Sequence, residues 1–213
     1  MKKLLFLMLS LAFATACSDD AAKQIGTLRQ KTLSEVHNDI SVDCGTLDRD
    51  YADYHKEQAI FTNLCMISDG QGNILVEDRI DPSWPGICFP GGHVHANEAF
   101  TDSVVREVFE ETGLTIHDPR LCGVKQFPTK SGARYVVFFY RATEYSGEVR
   151  SSAEGEVFWI SKSELQNKRC VPDLLEMIKV MESGDLNEFI YDVDGDDWTL
   201  RLLGQFDRLT NMV

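Results

Sequence analysis

A run of acidic and glycine residues from Gly92 to Leu114 constrains this chain more than any other feature. Its pattern is G-x5-E-x7-R-E-V-x-E-E-x-G-L. Because residues three and four apart share one face of an α-helix, we expect Glu107, Glu110 and Glu111 to project together from a helix. Neighbouring carboxylates repel one another, and a hard divalent cation relieves this repulsion because it prefers oxygen ligands. The pattern therefore predicts a Mg²⁺ site on a helix, with Mn²⁺ as the alternative ion.

The residues around this acid triplet also favour a helix. Asn97 or Glu98 can cap its start, and Gly113 suits the left-handed position that often follows a helix end. Arg106 always carries its charge and can fork onto a carboxylate such as that of Glu98, which would hold the acids in register. The preceding segment, 90–92, is Pro-Gly-Gly, which allows backbone to turn tightly and approach a metal or a phosphate.

Together these positions resemble the Nudix box, the signature of hydrolases that cleave nucleoside diphosphates linked to another moiety. Val108 and Leu114 stand in its two aliphatic positions, and the flanking sequence agrees over residues 56–204. That flank more narrowly resembles the MutT-type branch, the bacterial 8-oxo-dGTP diphosphatases. The resemblance implies an α+β fold arranged as an α/β/α sandwich, with a mixed central sheet.

The resemblance also implies which residues act. The metal ligands that it implies are one backbone carbonyl and three carboxylates: Gly92, Glu107, Glu110 and Glu111. Arg106 and Glu98 would support the catalytic helix, and either Glu154 or Glu156 would add one acid that faces the metal. The group that takes the proton of the attacking water stays open between the helix acids and this downstream pair. The expected reaction is Mg²⁺-dependent hydrolysis of a pyrophosphate bond, which converts a nucleoside triphosphate into monophosphate and pyrophosphate.

Residues that would recognise the substrate are less well defined by the sequence. Asn63, Phe127 and Trp159 are candidates for binding the base, against the alternative that they belong to the core. His93 and His95 flank the glycine turn and are candidates for contacting phosphate, against the alternative that they are exposed polar residues.

Two other functions are compatible with the same scaffold. Pro128 lies shortly after the box, where family members that prefer ADP-ribose often carry a proline. The first alternative is therefore hydrolysis of ADP-ribose or another nucleoside diphosphate derivative. The second is a non-catalytic module that senses a nucleotide, but such a module would be expected to have a broken box.

Charge and composition narrow the class of partner. The formal net charge of −13 over 213 residues argues against a binder of nucleic-acid polymers, which needs a basic face. It does not argue against a nucleotide substrate, because bound Mg²⁺ inverts the local field. A hydrophobic content of 43% is sufficient for one globular core.

The first seventeen residues form a different kind of segment. Lys2 and Lys3 precede an apolar stretch, Leu4–Ala16, that is short for a permanent membrane span and typical of a secretory signal. Cys17 follows and resembles the lipidation cysteine of bacterial lipoproteins, with ordinary cleavage after residue 16 as an alternative. The pattern predicts an exported, membrane-anchored protein. A cytoplasmic location is the alternative, and the five remaining cysteines agree with it because they show no disulfide framework.

We therefore expect four segments: a leader at 1–17, a polar tether at 18–55, a Nudix domain at 56–204 and a tail at 205–213. The strands predicted within the domain are Ala59–Ser68, Ile74–Ile80, Ile87–Phe89, Leu121–Phe127, Tyr135–Thr143 and Glu156–Ile160, followed by a closing hairpin of Glu188–Tyr191 and Trp198–Leu202. A second helix is expected from Pro172 to Glu182. The acidic run 192–197 hints at a calcium loop, but its glycine is misplaced, so a hairpin turn is favoured.

Overall fold

The computed structural model describes residues 56–204, which contain ten strands and three helices. The strands are β1 (Ala59–Ile67), β2 (Asn73–Arg79), β3 (Gly86–Cys88), β4 (Leu114–His117), β5 (Arg120–Pro128), β6 (Arg134–Ala142), β7 (Glu144–Gly147), β8 (Gly155–Ser161), β9 (Leu186–Asp194) and β10 (Asp197–Gly204). The helices are α1 (Phe100–Thr112), α2 (Lys162–Leu165) and α3 (Leu174–Glu182). The predicted leader, tether and tail lie outside the described residues. Within them, no helix is long and apolar enough to cross a membrane.

The central sheet has five strands in the order β1-β6-β5-β9-β10. It is mixed, because β1 with β6 and β5 with β9 are parallel pairs while the other neighbours are antiparallel. Strands β3, β2 and β8 form a smaller antiparallel sheet, and β4 pairs with β7. The mixed central sheet expected from the sequence is confirmed.

Alternate side chains of the central strands enter two hydrophobic cores on opposite faces of the sheet. Leu64 and Met66 of β1 belong to the core that includes α3, while Cys65 and Ile67 belong to the core that includes α1. Because side chains of a strand alternate between its faces, the sheet lies between the two long helices. Cys65 is fully buried, and burial raises the pKa of its thiol, as expected for a cysteine that serves as a small apolar residue.

Helix α1 carries the box acids, and its two ends differ in how well the sequence predicted them. The expected cap by Asn97 or Glu98 is wrong, because Ala99 occupies the N-cap position and no side chain caps the helix. Asn97 instead adopts a left-handed φ of 64°. The other end is as predicted: Gly113 has a φ of 75°, and its N–H donates to the carbonyl of Phe109 at 3.0 Å.

The acidic run near the C-terminus forms a hairpin turn, as favoured over a calcium loop. It joins β9 to β10 through Gly195, whose φ is 61°, and Asp192 pairs with Arg201 across the two strands. Strands β4 and β7 and helix α2 were not predicted. Each has only four residues, which is too short for a hydrophobic period to identify.

Candidate active site

The glycine turn after β3 lies directly against β1. Asn63 N–H donates to the Gly92 carbonyl, and Cys65 N–H donates to the Pro90 carbonyl, both at 2.9 Å. A Cβ added to Gly91, whose φ is 150°, would lie 2.2 Å from the Asn63 carbonyl oxygen, so only glycine fits there. The Gly92 carbonyl keeps a second lone pair, which leaves it able to bind a metal as the sequence predicts.

Arg106 connects the acids of the box. Its Nε and Nη2 donate to the two carboxylate oxygens of Glu98 at 2.8 and 2.9 Å, which is the predicted fork. Its Nη1 donates to Glu107 at 2.8 Å and to Glu110 at 3.2 Å. Together with a hydrogen bond from the His95 backbone, Arg106 holds the pKa of the Glu98 carboxyl at about 2. The fork therefore fixes the start of the helix relative to the carboxylate of Glu107.

Glu111 is the deepest acid of the box. Its side chain is buried, and its Oε2 accepts a 2.8 Å hydrogen bond from the Gly91 N–H. Burial raises its pKa to about 8, the neighbouring Glu77 carboxylate adds to the shift, and the Gly91 hydrogen bond opposes it. Glu77 lies in β2 and is also buried, which raises its own pKa while Arg79 acts in the opposite direction. Two buried carboxylates therefore face each other.

Glu77, Glu111 and Glu154 form a cluster that we call the acid cluster. Each offers an oxygen, and these three oxygens lie within 4.8 Å of one another. Arg79 is the nearby cation, but its Nη1 is 3.8 Å from Glu77 and from Glu154, which is beyond hydrogen-bond distance. Three hard oxygen donors with so little compensating positive charge fit Mg²⁺ or Mn²⁺.

The helix acids do not all face the same place. Glu107 and Glu111 line the cleft beside the glycine turn, whereas Glu110 is 56% exposed and contacts Arg106. Of the two downstream candidates, Glu154 joins the acid cluster. Glu156 lies in β8 opposite Asp78 and is exposed.

The cleft at these acids has a volume of about 420 Å³. Its lining residues come from β1, β2, the loop between β2 and β3, β6, the glycine turn, α1 and the loop before β8: Thr62, Asn63, Leu64, Arg79, Trp84, Gly91, Gly92, His93, Glu107, Glu111, Tyr135, Val137 and Glu154. Arg79 is the one lysine or arginine in this lining, and its guanidinium lies 5.4 Å from the ring centre of Trp84. The cleft thus combines an anion-binding side chain, an aromatic ring and the acids.

The candidates for substrate recognition separate into two groups. Asn63 and His93 line the cleft; the Asn63 amide donates to Ser103 at 3.0 Å, and its Oδ1 is buried without a hydrogen-bond partner among residues 56–204. His95 and Trp159 are not among the lining residues, and Trp159 packs against Tyr145 beside the core of α1.

Glu77, Arg79 and Trp84 were missed by the sequence reasoning. One signal for Glu77 was available, since it interrupts the apolar run of β2 directly after Ile-Leu-Val. A charged residue in the middle of a buried strand is rare unless it is paired or functional. Arg79 follows on the same face of the strand two residues later, which repeats the signal.

Comparisons with known proteins identify a family that matches this chain and relatives that resemble it in sequence. The NUDIX domain family model matches residues 62–181, more than half of the chain. The chain is 35% identical over 100 residues to the uncharacterized Nudix hydrolase YvcI of Bacillus subtilis (strain 168), which covers 45% of this chain and 63% of that protein. It is 30% identical over 108 residues to the NAD-capped RNA hydrolase NudC of Mycobacterium tuberculosis, covering 48% of this chain and 33% of that protein. The chain therefore spans less than two thirds of the length of these curated relatives.

Solved structures share the fold. The crystal structure of a MutT protein from Bacillus halodurans superposes with a TM-score of 0.57 at 26% identity, covering 67% of this chain and 97% of that one. A MutT structure from work on Aliivibrio salmonicida and Vibrio cholerae gives a TM-score of 0.50 at 24% identity, with coverage of 58% and 98%. The second likeness is one of fold alone.

Proposed function

Because the chain belongs to the Nudix family, we propose that it hydrolyses a phosphoanhydride bond in a nucleoside diphosphate or polyphosphate derivative, with the help of Mg²⁺ or Mn²⁺. The observation that carries this proposal is the acid cluster beside the glycine turn. Its three carboxylate oxygens lie within 4.8 Å of one another, at a cleft of nucleotide size. Such a concentration of negative charge is unfavourable in the absence of a cation and favourable with one.

The ligands that we propose for the metal are carboxylates and one carbonyl: Glu77, Glu107, Glu111, Glu154 and Gly92. Glu110 is exposed and does not line the cleft, so it would join only if its side chain turned towards the other acids. When bound, the metal would draw charge from the phosphate oxygens and make a nearby water molecule more acidic.

The side chains around the acids would bind and orient the substrate. Arg79 lies in the cleft with ion-pair distances of 3.8 Å, so its guanidinium retains donors for phosphate oxygens. Glu98 orients Arg106, which donates directly to Glu107 and keeps it in place. A water oxygen would bond to phosphorus, the bond to the leaving phosphate would break, and the water proton would pass to a carboxylate. The carboxylate that takes this proton would be that of Glu154, Glu107 or Glu111.

For the substrate we propose an oxidised guanine nucleotide such as 8-oxo-dGTP, which would yield the monophosphate and pyrophosphate. The likeness to the MutT protein of Bacillus halodurans, nearly all of which is covered, supports this choice. ADP-ribose or another nucleoside diphosphate derivative is the second candidate, supported by Pro128 at the exposed end of β5 and by the relative named as an NAD-capped RNA hydrolase. A non-catalytic sensing module is disfavoured because every position of the box is present.

A substrate panel distinguishes these candidates. The protein would be incubated with Mg²⁺ and 8-oxo-dGTP, dGTP, ADP-ribose or a diadenosine polyphosphate, and the products separated by ion-exchange chromatography. A kcat/KM for 8-oxo-dGTP about tenfold or more above that for dGTP supports the first candidate. Equal rates with both, and faster hydrolysis of ADP-ribose, support the second. If none of these substrates is hydrolysed, the result would favour the non-catalytic sensing module.

We further propose that residues 1–17 export the chain and that Cys17 carries a lipid anchor, with retention in the cytoplasm as the alternative. The support is the sequence pattern of two lysines, an apolar stretch and a cysteine.

A further inference from the structure

Four aromatic rings form a continuous strip on the face of the central sheet that also borders the cleft. The aromatic strip consists of Tyr135, Phe127, Tyr191 and Trp198. Tyr135 lines the cleft, with its ring centre 6.3 Å from that of His93. Successive ring centres are then 5.0 Å apart for Tyr135 and Phe127, 6.2 Å for Phe127 and Tyr191, and 5.6 Å for Tyr191 and Trp198. A path of ring surface thus leads from the glycine turn to the C-terminal hairpin.

Half of this strip comes from beyond the family-matched segment. The match ends at residue 181, whereas Tyr191 lies in β9 and Trp198 in β10. The hairpin widens the central sheet because β9 pairs with β5. Trp198 is 48% exposed although two aromatic neighbours contact it, so a large part of its indole can still stack against a planar ligand.

A buried lysine lies beneath the strip. Lys125 is 7% exposed, and its Nζ is 4.6 Å from the ring centre of Phe189, 5.4 Å from that of Tyr191 and 5.8 Å from that of Phe127. Among residues 56–204 its ammonium has no ion pair within 4.0 Å and no hydrogen bond. Asp173 acts on it from farther away and accepts a hydrogen bond from the Tyr191 hydroxyl.

The ammonium of Lys125 can donate hydrogen bonds to an acceptor on a ligand. Ring faces attract an ammonium but satisfy none of its three N–H donors, so these donors remain available to an acceptor. Lys125 is not among the residues that line the cleft, but the strip that it contacts reaches the cleft at Tyr135, so a planar ring of a substrate that extends along the strip would bring an acceptor to it.

We propose that the aromatic strip and Lys125 form a base-recognition site that selects a guanine-type base over adenine. An ammonium has donors and no acceptor. Guanine presents N7 and O6 as two acceptors on one edge, whereas adenine presents N7 beside an amino group that is itself a donor. This inference rests on the proposed function, because it identifies the base of the nucleotide whose phosphates Arg79 and the acid cluster would hold.

The test measures binding of GMP, AMP and ribose 5-phosphate to the full-length protein. All three carry the same 5′-phosphate and lack an anhydride bond, so binding is measured apart from catalysis. Trp198→Phe keeps a ring but removes one indole, so the difference between its fluorescence and that of the wild type reports Trp198. We expect GMP to quench this signal with a Kd about tenfold below that of AMP, and ribose 5-phosphate to leave it unchanged.

Two further variants separate stacking from edge recognition. Trp198→Ala lacks the reporter indole, so its binding is measured by isothermal titration calorimetry beside the wild type; it should weaken GMP and AMP alike by about fivefold or more, since it removes a stacking surface. Lys125→Met keeps the length of the side chain and should bring the two Kd values within about twofold of each other, since the charge-assisted hydrogen bond is lost. Leu121→Ala, at an exposed position of the same strand outside the strip, should change neither value.

Equal affinity for GMP, AMP and ribose 5-phosphate would overturn the inference, as would unchanged GMP binding in Trp198→Ala. The second result remains decisive if Lys125→Met fails to fold, because residue 198 is at the surface. A base preference in a protein that hydrolyses no nucleotide would contradict the proposed reaction and leave the base site standing. Hydrolysis without any base preference would contradict the base site and leave the proposed reaction standing.

Discussion

The backbone N–H of Gly91 donates a 2.8 Å hydrogen bond to Oε2 of Glu111. This bond joins the glycine turn to the last turn of helix α1 and holds a buried carboxylate whose pKa is raised to about 8. A single N–H donor orients the carboxylate but does not neutralise its negative charge, and a buried charge without a counter-charge is unfavourable. The turn and the helix therefore form one preformed part of the site, and a bound cation would supply the missing positive charge.

The two glycines of the turn should respond differently to substitution by alanine. In Gly92→Ala the new Cβ would lie 2.4 Å from the Glu107 carboxylate, at the end of a flexible side chain that can move. We expect the midpoint of thermal unfolding to change by only a few degrees, while kcat falls about tenfold or more because Glu107 is displaced. Gly91→Ala is the matched control. Its Cβ would meet backbone of β1, so that variant should lose stability as well as activity.

Glu154→Gln should weaken Mg²⁺ binding, measured by isothermal titration calorimetry, by about tenfold or more, because one anionic oxygen ligand becomes neutral. Glu156→Gln makes the same chemical change two residues away on an exposed strand position opposite Asp78. It should leave the affinity within about twofold of the wild type. A larger loss of Mg²⁺ affinity in Glu156→Gln than in Glu154→Gln would show that Glu156, and not Glu154, belongs to the metal site.

The contribution of Glu98 to the free energy of unfolding should be lost at acidic pH. Hydrogen bonds from Arg106 hold its folded pKa at about 2, below the ordinary 4.5. A carboxyl whose folded pKa is depressed contributes stability above its unfolded pKa, and that contribution is lost as the pH falls through the folded value. The difference in free energy of unfolding between wild type and Glu98→Gln should therefore be constant above pH ~5.5 and shrink towards zero by pH ~2. Urea unfolding at a series of pH values measures it, and a difference that does not depend on pH would contradict the role of the fork.

The sequence could predict the parts of the site that depend on neighbours along the chain. The left-handed Gly113 follows from the preference at helix ends, and the Arg106–Glu98 fork follows from the match of a guanidinium to a carboxylate eight residues earlier; both were found. The expected cap was not found: Glu98 accepts hydrogen bonds from Arg106 and from the His95 backbone, Asn97 adopts a left-handed φ, and Ala99 occupies the N-cap position.

Contacts between distant segments could not be predicted in the same way. Glu154 reaches Glu77 because β2 and β8 pair with Arg79 opposite Gly155, which places the loop before β8 beside the acids. A shift of that register by one residue would turn these side chains to the other face. The strip from Phe127 to Trp198 likewise depends on β9 pairing with β5, a parallel contact that no local pattern encodes.

The proposed lipid anchor predicts a change in location. If Cys17 is modified, the mature protein should fractionate with membranes and lack the first sixteen residues, because cleavage precedes the cysteine. Cys17→Ser should remove the lipid, and the protein should stay unprocessed or be cut only after Ala16. Membrane fractionation followed by mass spectrometry of the N-terminus measures both. Recovery of intact Met1 protein in the cytosol would contradict export.

The most direct measurement of the central claim compares wild type with Glu111→Gln across a Mg²⁺ titration, using whichever substrate of the panel is hydrolysed fastest. The substitution keeps the size of the side chain and removes one buried charge. The account predicts hydrolysis by the wild type that requires Mg²⁺, and a kcat at saturating Mg²⁺ that is about 10²-fold or more lower in the variant, with an unchanged circular dichroism spectrum. Equal turnover in both proteins, or wild-type turnover that is insensitive to removal of the metal, would contradict it.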